Sequence, residues 1–387
     1  MLHPHLLRKK FSQAFATNAD EARIFFSPGR VCLIGEHVDY NGGMVLPAAL
    51  SLGIYGVFRQ TDSHVLRMKS CQQKNEVTLR LDEEISFSEK TGWGNYPAGV
   101  LKYLKQKGFQ PRGGELLFDS NLPMGAGLSS SAAIEMLTAL IFSSNNDNKR
   151  LGKLELARLC KTAENEFVGV RCGIMDQCAI AMGEKNHALL LDCSTLKHEL
   201  VPAALGDNCI IIFNTGIKRE LTKGFFNQRV SECEEALKSI RKHKPLKHLA
   251  DADEQDVKEL VANPIAKKRA LHVVQENQRV KLAAEALKTG DINQFGLLLF
   301  QSHASLKRQY EVTGAELDTI EEAAQNHPAC IGAKMSGAGF GGCAFALVKK
   351  DAAEDFVRYV LNFYFEKTHC EASYCYAEID DGVRRIA

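Results

Sequence analysis

The segment PMGAGLSSSAAIEMLTALIF, between Pro123 and Phe142, has the residue types and spacing that most clearly point to chemistry. Gly125 and Gly127 free the backbone to curl, and three serines precede an apolar helical face. A helix that begins behind such a loop presents unpaired amides and the positive end of its dipole, and both favour an anion. The lysine of a GxxxxGKS or GxxxxGKT loop is missing, so the segment predicts a phosphate site of another kind. A glycine- and serine-rich helix cap without a ligand is the alternative.

A dense set of hydrogen-bonding side chains follows a short apolar strand at residues 31–34. The set consists of Glu36, His37, Asp39 and Asn41, and Gly42 and Gly43 close the turn behind it. Neutral polyols are recognised by such sets, because each buried hydroxyl left unpaired costs about 1 to 3 kcal/mol. The segment therefore suggests a sugar-binding loop, and a solvated turn is the alternative.

Two acids further along the chain are candidates for a role in catalysis. Asp176 lies in an apolar stretch, GIMDQ, and Glu164 ends a predicted helix twelve residues before it. A carboxylate in a low dielectric near an arginine is suited to act as a general base or as an orienting charge. A lone aspartate behind a helix is more often a helix cap, so this segment by itself leaves both interpretations open.

Two folded units are needed to hold these residues, because 387 residues exceed one ordinary hydrophobic core. An active site at the junction of two domains is then the default expectation. In the first half, predicted strands mix with predicted helices in an α+β pattern. The strands are expected at 31–34, 65–68, 77–81, 115–119 and 188–191, and the helices at 96–106, 129–142 and 154–167.

The second half also has an α+β pattern. It begins with an apolar strand at 209–214, continues with long helices at 229–242 and 264–287, and ends in a glycine-rich loop and strand at 337–348. We expect the domain boundary near residue 200, which gives an N-terminal domain of residues 1–200 and a C-terminal domain of residues 201–387.

The charge of the chain is nearly balanced, with 48 lysines and arginines against 47 aspartates and glutamates. A net charge of +1 gives no general attraction to nucleic acid or to an anionic membrane. The N-terminal residues lack the apolar stretch of a signal peptide, and apolar runs such as 210–213 are too short to span a bilayer. The twelve cysteines show no CxxC pair and are expected to be reduced core thiols. We therefore expect a cytoplasmic protein that binds neither nucleic acid nor membrane.

The three segments above, together with KMSGAGFGGCAFALV at 334–348, resemble the three ordered signatures of the GHMP kinases. The segment SPGRVCLIGEHVDYNGGMVLP at 27–47 is similar, almost residue for residue, to the signature of the galactokinase family. Further agreement runs through WGNYPAGV at Trp93, AENEFVGVRCGIMDQ at Ala163 and SHASLKRQYEVTGAELD at Ser302. The resemblance covers nearly the whole chain.

This resemblance implies an α+β, two-domain GHMP kinase fold. An N-terminal domain that resembles part of a ribosomal protein and a ferredoxin-like C-terminal domain would form a cleft, and the active site would lie in it. ATP would lie along the phosphate loop, with its adenine near Trp93, and Mg²⁺ would be bound by Ser130 and Glu164. The nucleotide-binding residues of the loop would be Gly125, Ala126, Gly127, Leu128, Ser129, Ser130 and Ser131.

The resemblance also implies roles for the remaining residues. Asp176 would take or orient the proton of the C1 hydroxyl of galactose, and Arg30 would favour the ionised acid and stabilise charge on the transferring phosphoryl group. The sugar would be held by Glu36, His37, Asp39, Gly173, Asp176 and Phe226. The enzyme would act on galactose and ATP as a monomer or weak homo-oligomer. An N-acetylgalactosamine kinase, another anomeric sugar kinase or a non-catalytic galactose sensor would share the same pattern.

Four residues depart from the family's pattern: Cys32 replaces an asparagine, Lys334 an arginine, Gln309 an aspartate, and Phe226 a tyrosine that precedes NxR. Cys32 is expected to point into the core, and Lys334 keeps its charge without the bidentate geometry of arginine. Phe226 belongs to the expected sugar pocket, so it bears on which sugar is accepted rather than on the reaction type.

Overall fold

The structure, a computed structural model, describes residues 2–123, 125, 127–144, 150–217 and 222–387. Its strands are β1 Arg23–Ile34, β2 Met44–Gln60, β3 Val65–Ser70, β4 Val77–Arg80, β5 Gly114–Ser120, β6 His187–Asp192, β7 His198–Pro202, β8 Asn208–Asn214, β9 Cys330–Ser336, β10 Cys343–Lys349, β11 Ser373–Ala377 and β12 Arg384–Arg385. Its α-helices are α1 Pro4–Phe15, α2 Asn95–Gln106, α3 Ser130–Ser143, α4 Lys153–Thr162, α5 Met175–Met182, α6 Thr222–Arg241, α7 Glu254–Leu260, α8 Pro264–Thr289, α9 Ile292–Ser305, α10 Ala315–Asn326 and α11 Ala353–Thr368.

The strands form two sheets. The larger sheet has the order β12-β1-β2-β5-β3-β4, with β6 paired to β2 and β7 paired to β6. The smaller sheet has the order β11-β8-β10-β9 and is antiparallel throughout. Helices cover both sheets, so the expected α+β class is confirmed.

The larger sheet buries both of its faces, because β1 and β2 carry apolar side chains on both sides. Phe25 and Phe58 belong to the main core, which the helices α2 to α5 share. Ile24 and Phe26 belong to a second, smaller core, which Leu7, Phe11 and Phe15 of α1 close. Side chains on a strand alternate between the two faces of the sheet, and this alternation explains the division.

The end of the described chain returns to the larger sheet. β12 pairs with β1, and Ile379 forms a bridge with Leu50 of β2. We propose that the boundary between the two domains lies near residue 200, except that the residues after β11 pack with the N-terminal domain.

The predicted elements of the first half are present, but β1 begins at Arg23, eight residues before the predicted start, and other features differ as well. The long strand β2, the short strand β7 and the helix α5 were not predicted. The helix expected at 154–167 is α-helical only to Thr162 and continues as a π-helical turn, Ala163–Val168. A second π-helical turn, Leu306–Tyr310, follows α9. Within the described ranges, no helix is long and apolar enough to cross a membrane.

Candidate active site

Two irregularities in β1 shape the floor of the site. The register of β1 against β2 shifts between Pro28 and Arg30 and again between Cys32 and Ile34. Such bulges bend a strand and re-aim its side chains. At Gly29, between the first pair, a Cβ atom would lie 2.8 Å from the carbonyl oxygen of Leu128. The phosphate loop therefore packs directly on the backbone of β1.

Arg30 joins the phosphate loop to the proposed acid. Its Nε donates to Oδ1 of Asp176 at 2.8 Å and its Nη2 to Oδ2 at 3.0 Å, while Nη1 donates to the carbonyl oxygen of Gly127 at 2.9 Å. Burial opposes the charge on Arg30, but the ion pair with Asp176 outweighs it and raises the pKa of Arg30. The side chain of Asp176 is 29% exposed and lines a cavity. The carboxylate is thus fixed in orientation and still accessible.

Ser129 also contacts this acid. Its hydroxyl donates to Oδ2 of Asp176, and its backbone is left-handed, with a φ of 60°. The hydroxyl is therefore directed to Asp176 rather than to the first turn of α3, which begins at Ser130. The role of Ser129 as a nucleotide ligand stays a prediction, and the contact that the structure gives it is with Asp176.

Asp39 lies in a short 3-10 turn, Asp39–Asn41, and packs tightly on Gly173. A Cβ atom on Gly173 would lie 1.8 Å from Oδ2 of Asp39, closer than any real contact, so a larger residue there would displace this carboxylate. Burial, and then the charge of Asp176, raise the pKa of Asp39 to about 6, although the backbone N–H groups of Tyr40 and Met175 oppose the rise.

His37 is buried and neutral, since burial lowers its pKa to about 3. Its Nε2 lies 3.2 Å from the carbonyl oxygen of Ala338, which can only accept, so Nε2 carries the proton. Its Nδ1 then accepts from the hydroxyl of Tyr40 at 2.8 Å. The hydroxyl of Tyr310 donates in turn to Tyr40, also at 2.8 Å, and the thiol of Cys233 donates to Tyr310 at 3.1 Å. This chain of donors fixes the imidazole from behind.

Glu36 forms an ion pair with Lys334 of β9. Both side chains are almost completely buried, and burial raises the pKa of Glu36 against the charge of Lys334. The pair joins the loop after β1 to the smaller sheet. Cys32, as expected, is fully buried in the core, and its backbone N–H donates to the hydroxyl of Ser336 at 3.0 Å.

These residues surround a cavity of about 330 Å³. It is lined by every residue predicted to hold the sugar and by the predicted catalytic pair: Glu36, His37, Asp39, Gly173, Phe226, Asp176 and Arg30. The ring centre of Phe226 lies 5.7 Å from that of His37 and 5.4 Å from that of Tyr40. The volume is that of a small-molecule pocket.

A second cavity of about 260 Å³ shares Tyr96 with the first. Trp93, Gly125, Ser130 and Ser131 are among its lining residues. Gly125 and Gly127 both have positive φ, 71° and 70°, so the predicted curl of the phosphate loop is present. Of the predicted nucleotide ligands, Leu128 is buried and supplies its carbonyl to the backbone of Arg30, whereas Ala126 lies outside the described residues.

Glu164 lies in the π-helical turn and lines the larger cavity. It accepts hydrogen bonds from Gln177 at 2.8 Å and from the thiol of Cys172 at 3.5 Å. Burial, and then the charge of Asp176, raise the pKa of Glu164 to about 7 against these donors. π-helical turns are rare and frequently occur at functional sites.

The oxygen donors near Glu164 are the type that Mg²⁺ prefers, and such sites commonly use one or two carboxylates together with phosphate oxygens. In the part of the chain that the structure describes, no group of three or more histidine, cysteine or acidic side chains could hold a metal by itself. The donor set thus fits an ion that arrives with a nucleotide. Ser130 and Ser131 both line the second cavity, so Ser130 as the serine that binds Mg²⁺ stays a prediction.

Several residues of the site were not predicted. Tyr96 lines both cavities. The residues Ala338, Tyr40 and Tyr310 together fix the ring of His37. Glu135 is a fully buried acid near Glu164. Tyr40, Tyr96 and Tyr310 all occur inside the segments that carry the family resemblance. Their location inside these segments was the feature of the sequence that could have identified the three tyrosines as site residues.

Comparison with known proteins agrees with this geometry. The GHMP kinases N terminal domain matches residues 95–184, the GHMP kinases C terminal domain residues 283–367, and the galactokinase galactose-binding signature residues 9–60. Galactokinases of Enterococcus faecalis and Clostridium tetani are 45% and 44% identical to the chain over 98% of its length, and the matches cover 99% and 97% of those proteins. The chain belongs to the galactokinase family.

Solved structures agree with membership in the galactokinase family. The crystal structure of Lactococcus lactis galactokinase complexed with galactose is 40% identical, covers 99% of both chains and gives a TM-score of 0.94. The mevalonate kinase of Methanococcus jannaschii is 20% identical with a TM-score of 0.70, which shows the shared fold alone. The resemblance inferred from the sequence segments is confirmed.

Proposed function

We propose that the chain is a galactokinase, an ATP-dependent sugar 1-kinase. It transfers the γ-phosphoryl group of MgATP to the C1 hydroxyl of α-D-galactose and gives α-D-galactose 1-phosphate and ADP, the first committed step of galactose catabolism. One observation carries the proposal: Arg30 donates at the same time to Asp176 in the larger cavity and to Gly127 in the phosphate loop. A phosphoryl acceptor in one cavity and a donor along the loop would meet at this guanidinium.

The larger cavity supplies what a sugar acceptor needs. Asp176 would accept or orient the proton of the C1 hydroxyl, and Arg30 would stabilise the charge that develops during transfer. Glu36 and Asp39 would accept hydrogen bonds from other hydroxyls, with Gly173 and Phe226 as walls. Galactose as the substrate is supported by the identity to galactokinases and by the galactose complex of the Lactococcus lactis enzyme.

The smaller cavity would hold the nucleotide. Trp93 would contact the adenine, and the loop from Gly125 to the start of α3 would surround the phosphates, where helix amides favour anions. Glu164 with Ser130 or Ser131 would hold Mg²⁺. When bound, this ion would neutralise charge on the phosphate oxygens.

A substrate panel tests the proposal. Galactose, N-acetylgalactosamine, glucose and arabinose are each incubated with MgATP, ADP release is measured with and without sugar, and the phosphorylated position is assigned by NMR. We expect galactose to give the highest kcat/KM and a 1-phosphate product. A higher kcat/KM for another sugar would overturn the substrate, and no sugar-dependent ADP release would overturn the enzyme class.

Galactose binding should weaken as the pH falls through about 6. Because its pKa is raised, Asp39 is protonated below that pH and loses the charged carboxylate that accepts strong hydrogen bonds from hydroxyls. Binding calorimetry without nucleotide or metal should show the Kd rising toward tenfold per pH unit between pH 6 and 5. Asp39→Asn should bind weakly at every pH, and a flat profile for the unmodified chain would contradict this role.

Gly173→Ala should raise the galactose KM by about 5- to 150-fold, the cost of one buried hydroxyl without its partner. The added Cβ atom would displace the carboxylate of Asp39, from which it would lie 1.8 Å. The ATP KM should stay unchanged, as should both constants in the matched control Gly152→Ala, where the nearest contact is an ordinary 3.6 Å. An unaltered galactose KM would show that Asp39 does not bind the sugar.

Phe226→Tyr should lower the galactose KM by about 2- to 12-fold, the net worth of one added hydrogen bond. Phe226 lines the larger cavity, whereas its neighbour Phe225 is exposed and stacks on Phe340, so Phe225→Tyr is the matched control. The ratio of kcat/KM for galactose to that for deoxy analogues should also rise. If both the KM and this ratio stay the same, the position does not shape the pocket.

The cytoplasmic location and the monomeric or weakly associated state stay predictions.

A further inference from the structure

Lys334 is a buried cation, and each of its three N–H groups has an acceptor. Its side chain has no exposed surface, and its Nζ contacts Oε2 of Glu36, the carbonyl oxygen of Met335 at 2.9 Å and that of Cys32 at 3.4 Å. An ammonium group has three N–H donors, so these three acceptors occupy it. Lys334 therefore contacts the sugar cavity only through Glu36.

The other oxygen of Glu36 has no such partner. Oε1 is buried and lacks a hydrogen bond among the described residues, and Glu36 lines the larger cavity. A buried acceptor without a partner costs free energy unless a ligand or water supplies a donor. The unpaired oxygen thus points to a ligand that donates a hydrogen bond at this position.

The backbone around Glu36 is held on both sides by α8. The N–H of Gly35 donates to Oε1 of Glu276 at 3.0 Å, and the carbonyl oxygen of Glu36 lies 3.1 Å from Nε2 of His272. Glu276 and His272 are both fully buried. The carboxylate cannot easily turn to exchange its two oxygens, because the chain is fixed on either side of it and Lys334 holds one oxygen.

We propose that Lys334 is a positioning residue, which determines that Glu36 accepts a hydrogen bond from the sugar rather than donating one. Lys334 takes Oε2 and leaves Oε1 as a single acceptor, so one hydroxyl of the sugar must donate a hydrogen bond there. This inference rests on the proposed function and deepens it, because it makes Lys334 a determinant of sugar specificity from the C-terminal half of the chain.

Two substitutions separate this role from a merely structural one. In Glu36→Gln, Lys334 still requires an acceptor and holds the amide oxygen, so the NH₂ group faces the cavity and a donor replaces the acceptor. In the double variant Glu36→Gln with Lys334→Met, nothing holds the amide oxygen, and the amide can turn that oxygen to the sugar. The double variant should therefore bind galactose more tightly than the single one.

The experiment compares the unmodified chain, the two variants and the control Lys238→Met, an exposed exchange on α6. Each protein is assayed with galactose and with monodeoxyfluoro galactoses, one for each hydroxyl other than the anomeric one. Fluorine accepts but cannot donate. The unmodified chain and the control should penalise fluorine at the Glu36 contact by roughly tenfold or more in kcat/KM, about the loss of one hydrogen bond to a charged group.

In Glu36→Gln the penalty at that one position should shrink to about twofold or less, while the penalties at the other positions stay. The galactose KM of the double variant should be lower than that of Glu36→Gln by at least about threefold. Thermal unfolding and the ATP KM report folding independently. If the double variant does not fold, the change in the fluorine penalty in Glu36→Gln still decides.

An unchanged fluorine profile in Glu36→Gln would overturn the inference, as would a folded double variant that binds galactose no better than the single one. These outcomes are distinct from a failure of the proposed function, in which the unmodified chain would form no galactose 1-phosphate.

Discussion

Asp176→Asn is expected to lower kcat for galactose phosphorylation by roughly 10²-fold or more, while galactose and ATP still bind. The carboxylate of Asp176 accepts from Nε and Nη2 of Arg30 and from the hydroxyl of Ser129. An asparagine amide has nearly the same size but only one accepting oxygen, so it can neither take a proton nor satisfy all three donors. Losing a positioned acid–base group typically costs about 10²- to 10⁴-fold in rate.

Steady-state kinetics gives kcat, and calorimetry gives the two binding constants. The matched control is Asp207→Asn, an exposed position just before β8, which should leave kcat unchanged. Near-normal turnover in Asp176→Asn would move the chemistry to another group. A large loss of galactose binding with normal kcat would instead make Asp176 only a sugar ligand.

Arg30→Ala is expected to lower kcat by about 10²- to 10³-fold, the scale of removing one donor from a developing charge. Arg30 is buried and connects Asp176 to the phosphate loop, so its positive charge lies where acceptor and donor would meet. Because that charge is needed most as transfer proceeds, the substitution should change kcat much more than the KM for galactose or the KM for ATP.

Arg30→Lys provides the graded comparison. Lysine keeps the charge but cannot form the bidentate contact with Asp176, so its kcat should lie between those of the alanine variant and the unmodified chain. Thermal unfolding of all three proteins shows whether the fold is kept. Equal kcat in Arg30→Lys and Arg30→Ala would mean that geometry rather than charge is what Arg30 supplies, and normal kcat in both would exclude the role.

The local parts of the site were predictable because each is encoded in a short stretch of sequence. Gly125 and Gly127 adopt the positive φ that their type allows. Of the polar set after β1, Glu36, His37 and Asp39 line a cavity, whereas the amide of Asn41 donates to the carbonyl oxygen of His37. The meeting of Arg30 and Asp176 joins residues 146 positions apart. Neither segment alone distinguished a catalytic acid from a helix cap, and only the family resemblance related the two.

The strand β2 was not predicted because its sequence contains residues that usually interrupt strands. Pro47 pairs opposite Cys32 at one of the register shifts, where the regular ladder is already broken. At Gly53 and Gly56 a Cβ atom would lie 2.6 Å from Phe26 and 3.1 Å from Leu137, respectively. The glycines make room for packed neighbours, and such neighbours cannot be read from one strand alone.

The contribution of the C-terminal half to the sugar cavity was also hidden. Lys334 was noted only as a lysine that replaces the family's arginine and keeps its charge, and its contact with Glu36 was not predicted. His272 and Glu276 were not singled out because they lie in an ordinary long helix. Their partners are 236 to 298 residues away in the chain. Buried polar contacts at this separation leave no periodic pattern in the sequence.

The two π-helical turns make the site sensitive to chain length. A π-helical turn is an α-helix with one extra residue, and Glu164 lies in one while Tyr310 ends the other. Deleting one residue from either turn would restore the α-helical register and rotate the next residues of the chain by about 100° around the helix axis. Glu164 would then lose its alignment with the segment that leads to Asp176, and Tyr310 would turn away from Tyr40. The number of residues in these two turns thus matters as well as their amino-acid types. A single deletion there should lower activity more than most substitutions at the same positions.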